Sequence, residues 1–151
     1  MNDADKSCLR VLIVDRCRET STSMCWLLEK WGHHVRVAHD GVAALEIAGA
    51  FRPQVVLIDI TLETRWDGCQ LASQFRALSG LEQVYLICMS AYATEADQRR
   101  SLEAGFNYLL PKGTDPQEVK SVLTARKATA GARVSRAHAV AENAASEVRL
   151  N

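Results

Sequence analysis

A chain of 151 residues, 48% of them hydrophobic, is long enough for one domain with a full core. Eighteen basic and eighteen acidic residues cancel, which excludes nonspecific binding to nucleic acid or to an acidic membrane as the main activity. The cancellation is uneven: residues 1–123 carry 13 Lys/Arg against 16 Asp/Glu, a net of −3, so the last 28 residues carry +3.

The N-terminus, MNDADKSCLR, reads as neither a signal peptide nor a membrane span, which predicts a cytoplasmic protein. The apolar run 9–14 predicts a buried strand that delivers Asp15 to its end, with Arg16 next. TSTSMCWLLEKWG predicts a helix with Met24, Leu27, Leu28 and Trp31 on one face, stopped at Gly32. Residues 35–39 form a second strand, and Asp40 caps a helix over 41–51 with Val42, Leu45 and Ala48 inward. QVVLID (54–59) is a third strand ending in an acid. A polar loop leads to Gly68 and then a helix with Leu71, Phe75 and Leu78 inward. Residues 84–90 are a fourth strand, Thr94 caps a helix that ends at Gly105, and 107–110 are a short fifth strand. Asp115 caps a fifth helix with Pro116 at its first position.

Five strand–helix units predict an α/β domain with a parallel sheet, since parallel strands need crossover connections. Strands apolar throughout, rather than alternating, predict cover on both faces. Residues 128–151 differ: eight of 24 are alanine and none is aromatic, so they are read as a tail, helical or disordered, after a domain at 1–127. Five scattered cysteines form no zinc pattern and are expected to be reduced. Cys17, close to Asp15, is read as inert. His33 and His34 have no ligand partners in sequence, and Trp26 and Trp31 are assigned to core or edge packing.

Ligands of open α/β sheets bind beyond the carboxyl ends of the strands. Those ends bring Asp15, Asp59, Ser90 and, past Pro111, Lys112 to one edge. Two carboxylates, a hydroxyl and an ammonium suit transfer of a phosphoryl group onto a carboxylate. No GxxxxGK[ST] or GxGxxG loop points to a nucleotide.

These residues, with VLIVD, DGVAALEIAGAFRPQVVLIDI, WDG, MSAY and EAGFNYLLPK, resemble the receiver domain of two-component response regulators over about residues 8–125. The resemblance implies a doubly wound, flavodoxin-like (βα)5 fold with strand order 2-1-3-4-5, and a signalling protein rather than an enzyme. It implies that Asp59 accepts a phosphoryl group from a histidine kinase or phosphotransfer protein. Mg²⁺ would be held by Asp15, Asp59 and the backbone carbonyl of Thr61, while Ser90 and Lys112 contact the phosphoryl group. No nucleic acid or membrane partner is implied. Twenty-four tail residues are too few for an output domain, so output is expected through protein contacts on the face of helix four, strand five and helix five, with Tyr92, Glu95, Arg99 and Leu109 as candidates.

Several positions depart from the family. Arg16 stands where a second acid is usual. At an effective dielectric of about 20, unit charges about 4 Å apart interact by roughly 4 kcal/mol, and a third of that weakens metal binding about tenfold. Arg16 therefore has three readings: it weakens the metal site, it substitutes for the metal by pairing with Asp59, or it points to solvent. The loop DITLETRWDG is one residue longer than usual in the family and lacks the usual proline, with Glu63 and Thr64 in that region, and Trp66 either shields the site or meets a partner. Leu109 replaces a common aromatic, and Gly113 replaces a proline generally in a cis bond. These departures keep open a second reading, a pseudo-receiver that binds partners without phosphate.

Overall fold

The computed structural model describes residues 8–60, 68–90 and 94–129. Thr61, Glu63, Thr64, Trp66, Tyr92 and the tail beyond 129 lie outside them. In chain order the elements are β1 (Arg10–Val14), α1 (Arg18–Lys30), β2 (His34–Ala38), α2 (Gly41–Phe51), β3 (Val55–Asp59), α3 (Gly68–Ala77), β4 (Tyr85–Ser90), α4 (Glu95–Ala104), β5 (Tyr108–Pro111) and α5 (Pro116–Thr129). The five strands form one parallel sheet in the order β2-β1-β3-β4-β5, as the resemblance implied.

Each strand feeds two cores, because alternate side chains point to opposite faces. On one face Leu12, Val14, Val56, Ile58, Leu86, Cys88 and Leu109 meet α2 and α3. On the other, Val11, Ile13, Val55, Leu57, Ile87, Met89 and Leu110 meet α1 and α5. All five residues of β3 are buried, so the sheet's centre runs straight to Asp59.

Helix ends follow local chemistry. The Asp40 side chain accepts the Ala43 N–H at 2.8 Å, capping α2, and Asp115 accepts the Gln117 N–H at 2.8 Å before Pro116 opens α5. Helix α1 stops at Gly32, whose φ of 95° suits glycine. Helix α4 is seated differently. Its deeply buried side chains among those described are polar, Gln98 and Ser101, and the Ser101 hydroxyl lies 3.5 Å from Cys88 Sγ.

Three packing expectations are corrected. Val42 is 49% exposed, and α2 turns Gly41 and Ala44 inward beside the expected Ala48. The helix is apolar nearly all round, so its periodicity does not select a face. Trp26 is 62% exposed, off the inward stripe of Ser21 and Leu28, with the Lys30 ammonium 4.8 Å from its ring centroid. Leu109, offered as a surface contact, is fully buried: its β5 position, in register with Cys88, points into the core with Phe75 and Phe106.

One structural residue has no signal in the sequence. Arg76, at the end of α3, donates from Nε and Nη2 to the Gly105 carbonyl (3.1 and 2.7 Å) and from Nη1 to the Glu82 and Val84 carbonyls. Nη2 also reaches Asn107 Oδ1 at 2.7 Å, which in turn accepts the Leu86 N–H at 2.7 Å. A single guanidinium thus ties α3 to the segments that enter β4 and β5.

Candidate functional site

The carboxyl edge of the sheet gathers the polar residues expected there. Asp59 ends β3, Ser90 ends β4, Asp15 follows β1 and Lys112 follows β5. Asp59, Asp15 and Ser90 are only 3%, 4% and 2% exposed. Burying three such groups together is costly unless they hold partners. Lys112 Nζ lies 2.8 Å from Asp59 Oδ2, an ion pair with one deeply buried partner. The backbone helps: the Lys112 N–H donates to the Ser90 carbonyl at 2.7 Å and the Ile60 N–H to the Met89 carbonyl at 3.0 Å, clamping the ends of β3, β4 and β5 together.

Asp15 is held by its own turn, with Oδ1 accepting the Cys17 N–H at 2.9 Å. Its carboxyl stands close enough to Asp59 for the two to feel each other's charge. Burial raises the Asp15 pKa above its ordinary value; the Cys17 N–H and Lys112 oppose this, and Asp59 adds to it. Burial presses the Lys112 ammonium down, but the hydrogen bond and charge of Asp59, with Asp15 behind it, outweigh burial and raise its pKa.

Arg16, next to Asp15, has an exposed side chain. Among the described residues no group of three or more His, Cys, Asp or Glu side chains surrounds one point. Two carboxylates, Asp15 and Asp59, remain. Mg²⁺ is commonly held by one or two carboxylates with water completing the octahedron, so this pair fits a hydrated Mg²⁺ without a third acid. Thr61 lies outside the described residues.

Other expectations resolve simply. Gly113 has φ 84° and opens the turn after Lys112, which the Thr114 hydroxyl closes on the Pro111 carbonyl. All five cysteines are free. Cys17 is exposed, and its thiol accepts from the Thr20 hydroxyl at 3.2 Å, which lowers its pKa. His33 Nδ1 accepts the Leu9 N–H at 3.1 Å, a structural role.

Two residues escaped the sequence reading. Gly68 packs so tightly under the acceptor strand that a Cβ there would lie 2.6 Å from Ile60 Cα and 2.8 Å from the Asp59 carbonyl oxygen. Its signals in the sequence are its place at the start of a helix and in the WDG motif, neither of which tells of the close approach. His39, taken as the last residue of β2, lies past the ladder, and its ring lies 2.9 Å from the Asp15 carbonyl.

The described residues include no helix long and apolar enough to cross a membrane. Among known proteins, the chain is 32% identical over 109 residues to an uncharacterized 14.6 kDa protein of Leptolyngbya boryana, covering 72% of this chain and 82% of that one. It is 31% identical over 104 residues to the response regulator MprA of Mycobacterium ulcerans, covering 69% of this chain but only 44% of MprA. In structure it superimposes on the chemotaxis protein CheY4 of Vibrio cholerae with a TM-score of 0.74 at 20% identity, over 78% of this chain and 97% of that one. That likeness concerns the fold. The family model of the response regulator receiver domain matches residues 11–124, which include all four residues gathered at the sheet edge, and the chain belongs to that family.

Proposed function

We propose that Asp59 accepts a phosphoryl group from the phosphohistidine of a histidine kinase or phosphotransfer protein, and that the chain signals through protein contacts. The observation that carries this is the 2.8 Å pairing of Lys112 Nζ with the buried Asp59 carboxylate, with Asp15 beside it. An Asp59 oxygen attacks phosphorus as the phosphorus–nitrogen bond of the donor breaks, leaving an aspartyl phosphate and a neutral imidazole. Lys112, already bonded to Asp59, transfers its point charge to a phosphoryl oxygen. The Ser90 hydroxyl, at the end of the adjoining strand, supplies a further hydrogen bond. Bound Mg²⁺ would neutralise developing phosphoryl charge, held by Asp15, Asp59 and the carbonyl of Thr61.

In this reading Arg16 lowers the affinity for Mg²⁺, because a ligand is lost and a cation added. Its exposure keeps the repulsion well short of the full Coulomb figure, and a loss of about tenfold is expected. Residues 1–127 form the receiver and 128–151 a tail, and the protein works in the cytoplasm. Output passes through the α4–β5–α5 face, where Glu95 and Arg99 are exposed. Retention of the Asp59, Lys112 and Ser90 set argues against a module that works without phosphate.

The experiment is intact-protein mass after incubation with acetyl phosphate across a Mg²⁺ series, with Asp59→Asn as control. A phosphoryl adduct absent from the control is expected, and Arg16→Asp should reach half-maximal labelling at about tenfold lower Mg²⁺. An adduct that forms equally without metal would make Arg16 the substitute cation. No adduct on folded protein would refute the proposal.

A further inference from the structure

Strand β1 pairs with β2 from Arg10↔His34 to Val14↔Ala38, and one more rung follows, from the Asp15 N–H to the Ala38 carbonyl at 3.0 Å. In a parallel ladder the next donor to the Asp15 carbonyl would come from the backbone two residues past Ala38. That residue is Asp40, and it has left the sheet to cap α2. The Asp15 carbonyl meets the imidazole of His39 instead, with Nδ1 at 2.9 Å. A carbonyl only accepts, so Nδ1 carries the proton, and a side-chain N–H replaces a missing ladder N–H.

This bond falls on the peptide that joins Asp15 to Arg16. The same turn is fixed at its other end by the Cys17 N–H on Asp15 Oδ1. Between them the two bonds set the direction of the Asp15 carboxylate and the point from which Arg16 departs. We infer that half-buried His39 is a positioning residue for the acidic edge: by holding the Asp15 carbonyl it aims the Asp15 carboxylate towards Asp59 and towards a metal shared with it. The inference rests on the phosphoryl-accepting function proposed above. His39 touches neither phosphoryl group nor metal, and acts through the Asp15–Arg16–Cys17 turn.

The test compares His39→Phe, which keeps a ring without a donor, with His39→Asn, whose amide nitrogen reaches the place of Nδ1. Labelling by acetyl phosphate is followed against Mg²⁺, and backbone amide shifts and exchange at Arg16 and Cys17 are followed by NMR with and without Mg²⁺. Loss of one ordinary hydrogen bond corresponds to about three- to tenfold. His39→Phe should therefore raise the Mg²⁺ concentration for half-maximal labelling by that factor, with the maximal rate within about twofold of wild type. Amide exchange at Arg16 and Cys17 should quicken to match, and His39→Asn should restore both readouts. Unchanged half-saturation in His39→Phe, or an equal defect in folded His39→Asn, overturns the inference. If wild type takes no phosphoryl group at all, the functional proposal fails, and the amide arm still decides: exchange unaltered by His39→Phe removes His39 from the turn. Should His39→Phe not fold, His39→Gln takes its place, since its amide reaches towards Nε2 rather than Nδ1.

Discussion

Replacing Gly68 with alanine tests how closely the acceptor strand is confined. The added carbon would stand 2.6 Å from Ile60 Cα, 2.8 Å from the Asp59 carbonyl oxygen and 3.2 Å from Ile60 N. Carbon atoms pack at about 3.5–4.0 Å, so the overlap with Ile60 Cα is about 1 Å. All three obstructing atoms belong to the backbone, and no rotamer change relieves them. Either α3 backs away or the end of β3 shifts, carrying Asp59 with it. Overpacking of this kind costs about 1–3 kcal/mol. For a domain of this size that lowers Tm by about 4–12 °C, taking about 4 °C per kcal/mol. The assay is thermal unfolding by circular dichroism, with Gly49→Ala as the internal comparison. Gly49 lies within α2 with nothing within 4 Å of its would-be Cβ, so alanine there should raise Tm by about 2–4 °C. Labelling of Asp59 should slow in the Gly68 variant alone. If Gly68→Ala melts within about 2 °C of wild type while Gly49→Ala gains, the confinement argument is wrong.

Arg76→Ala leaves the Gly105, Glu82 and Val84 carbonyls without a shared donor and is expected to cost about 2–4 kcal/mol in urea unfolding. Arg76→Lys should recover less than half, because an ammonium cannot fork to so many acceptors, and a loss under about 1 kcal/mol in the alanine variant would contradict the role. Burial first, and Asp59 with it, raises the folded-state pKa of Asp15 above its ordinary 3.8, so stability is lost as pH rises through that raised value. Asp15→Asn should accordingly be more stable than wild type at neutral pH without metal, with the gap narrowing towards about pH 4 in a series of melts. A destabilised variant at neutral pH would rule this out. Burial and Glu29 push the Cys25 thiol up to about 11, while the Thr20 hydroxyl lowers that of exposed Cys17. At about pH 8 iodoacetamide should modify Cys17 at least about tenfold faster than Cys25, read by peptide mass mapping, and equal rates would count against it.

Much of the fold was legible because parallel strands buried on both faces leave apolar runs that stand out. Val55–Asp59 and Tyr85–Ser90 fall within one residue of the runs that announced them. Helix α2 starts where Asp40 said it would, since capping is local chemistry written in one residue. Its facing was not legible, because Val42, Leu45, Ile47 and Ala48 crowd every side of it. The convergence of Asp15, Asp59, Ser90 and Lys112 followed from the parallel order, which puts every strand's carboxyl end on one edge. What stayed hidden depends on partners distant in the chain. Arg76 is an ordinary charged helix residue until the segments before β4 and β5 come to rest on it. His39 is an ordinary histidine until the ladder runs out beside it.

Helix α4 differs from its neighbours in what it would lose by letting go. Peeling α3 from the sheet exposes Leu71, Ala72 and Phe75, whereas peeling α4 exposes mainly Gln98 and Ser101, which water receives readily. Local opening is cheapest where little apolar surface is uncovered, so amide protons in α4 should exchange with solvent before those of α3. The sheet that carries Asp59 is sealed on a slower clock, with β3 buried from end to end. Among the described residues, the first opening is thus expected beside the strand that ends in Ser90 and away from the acceptor strand.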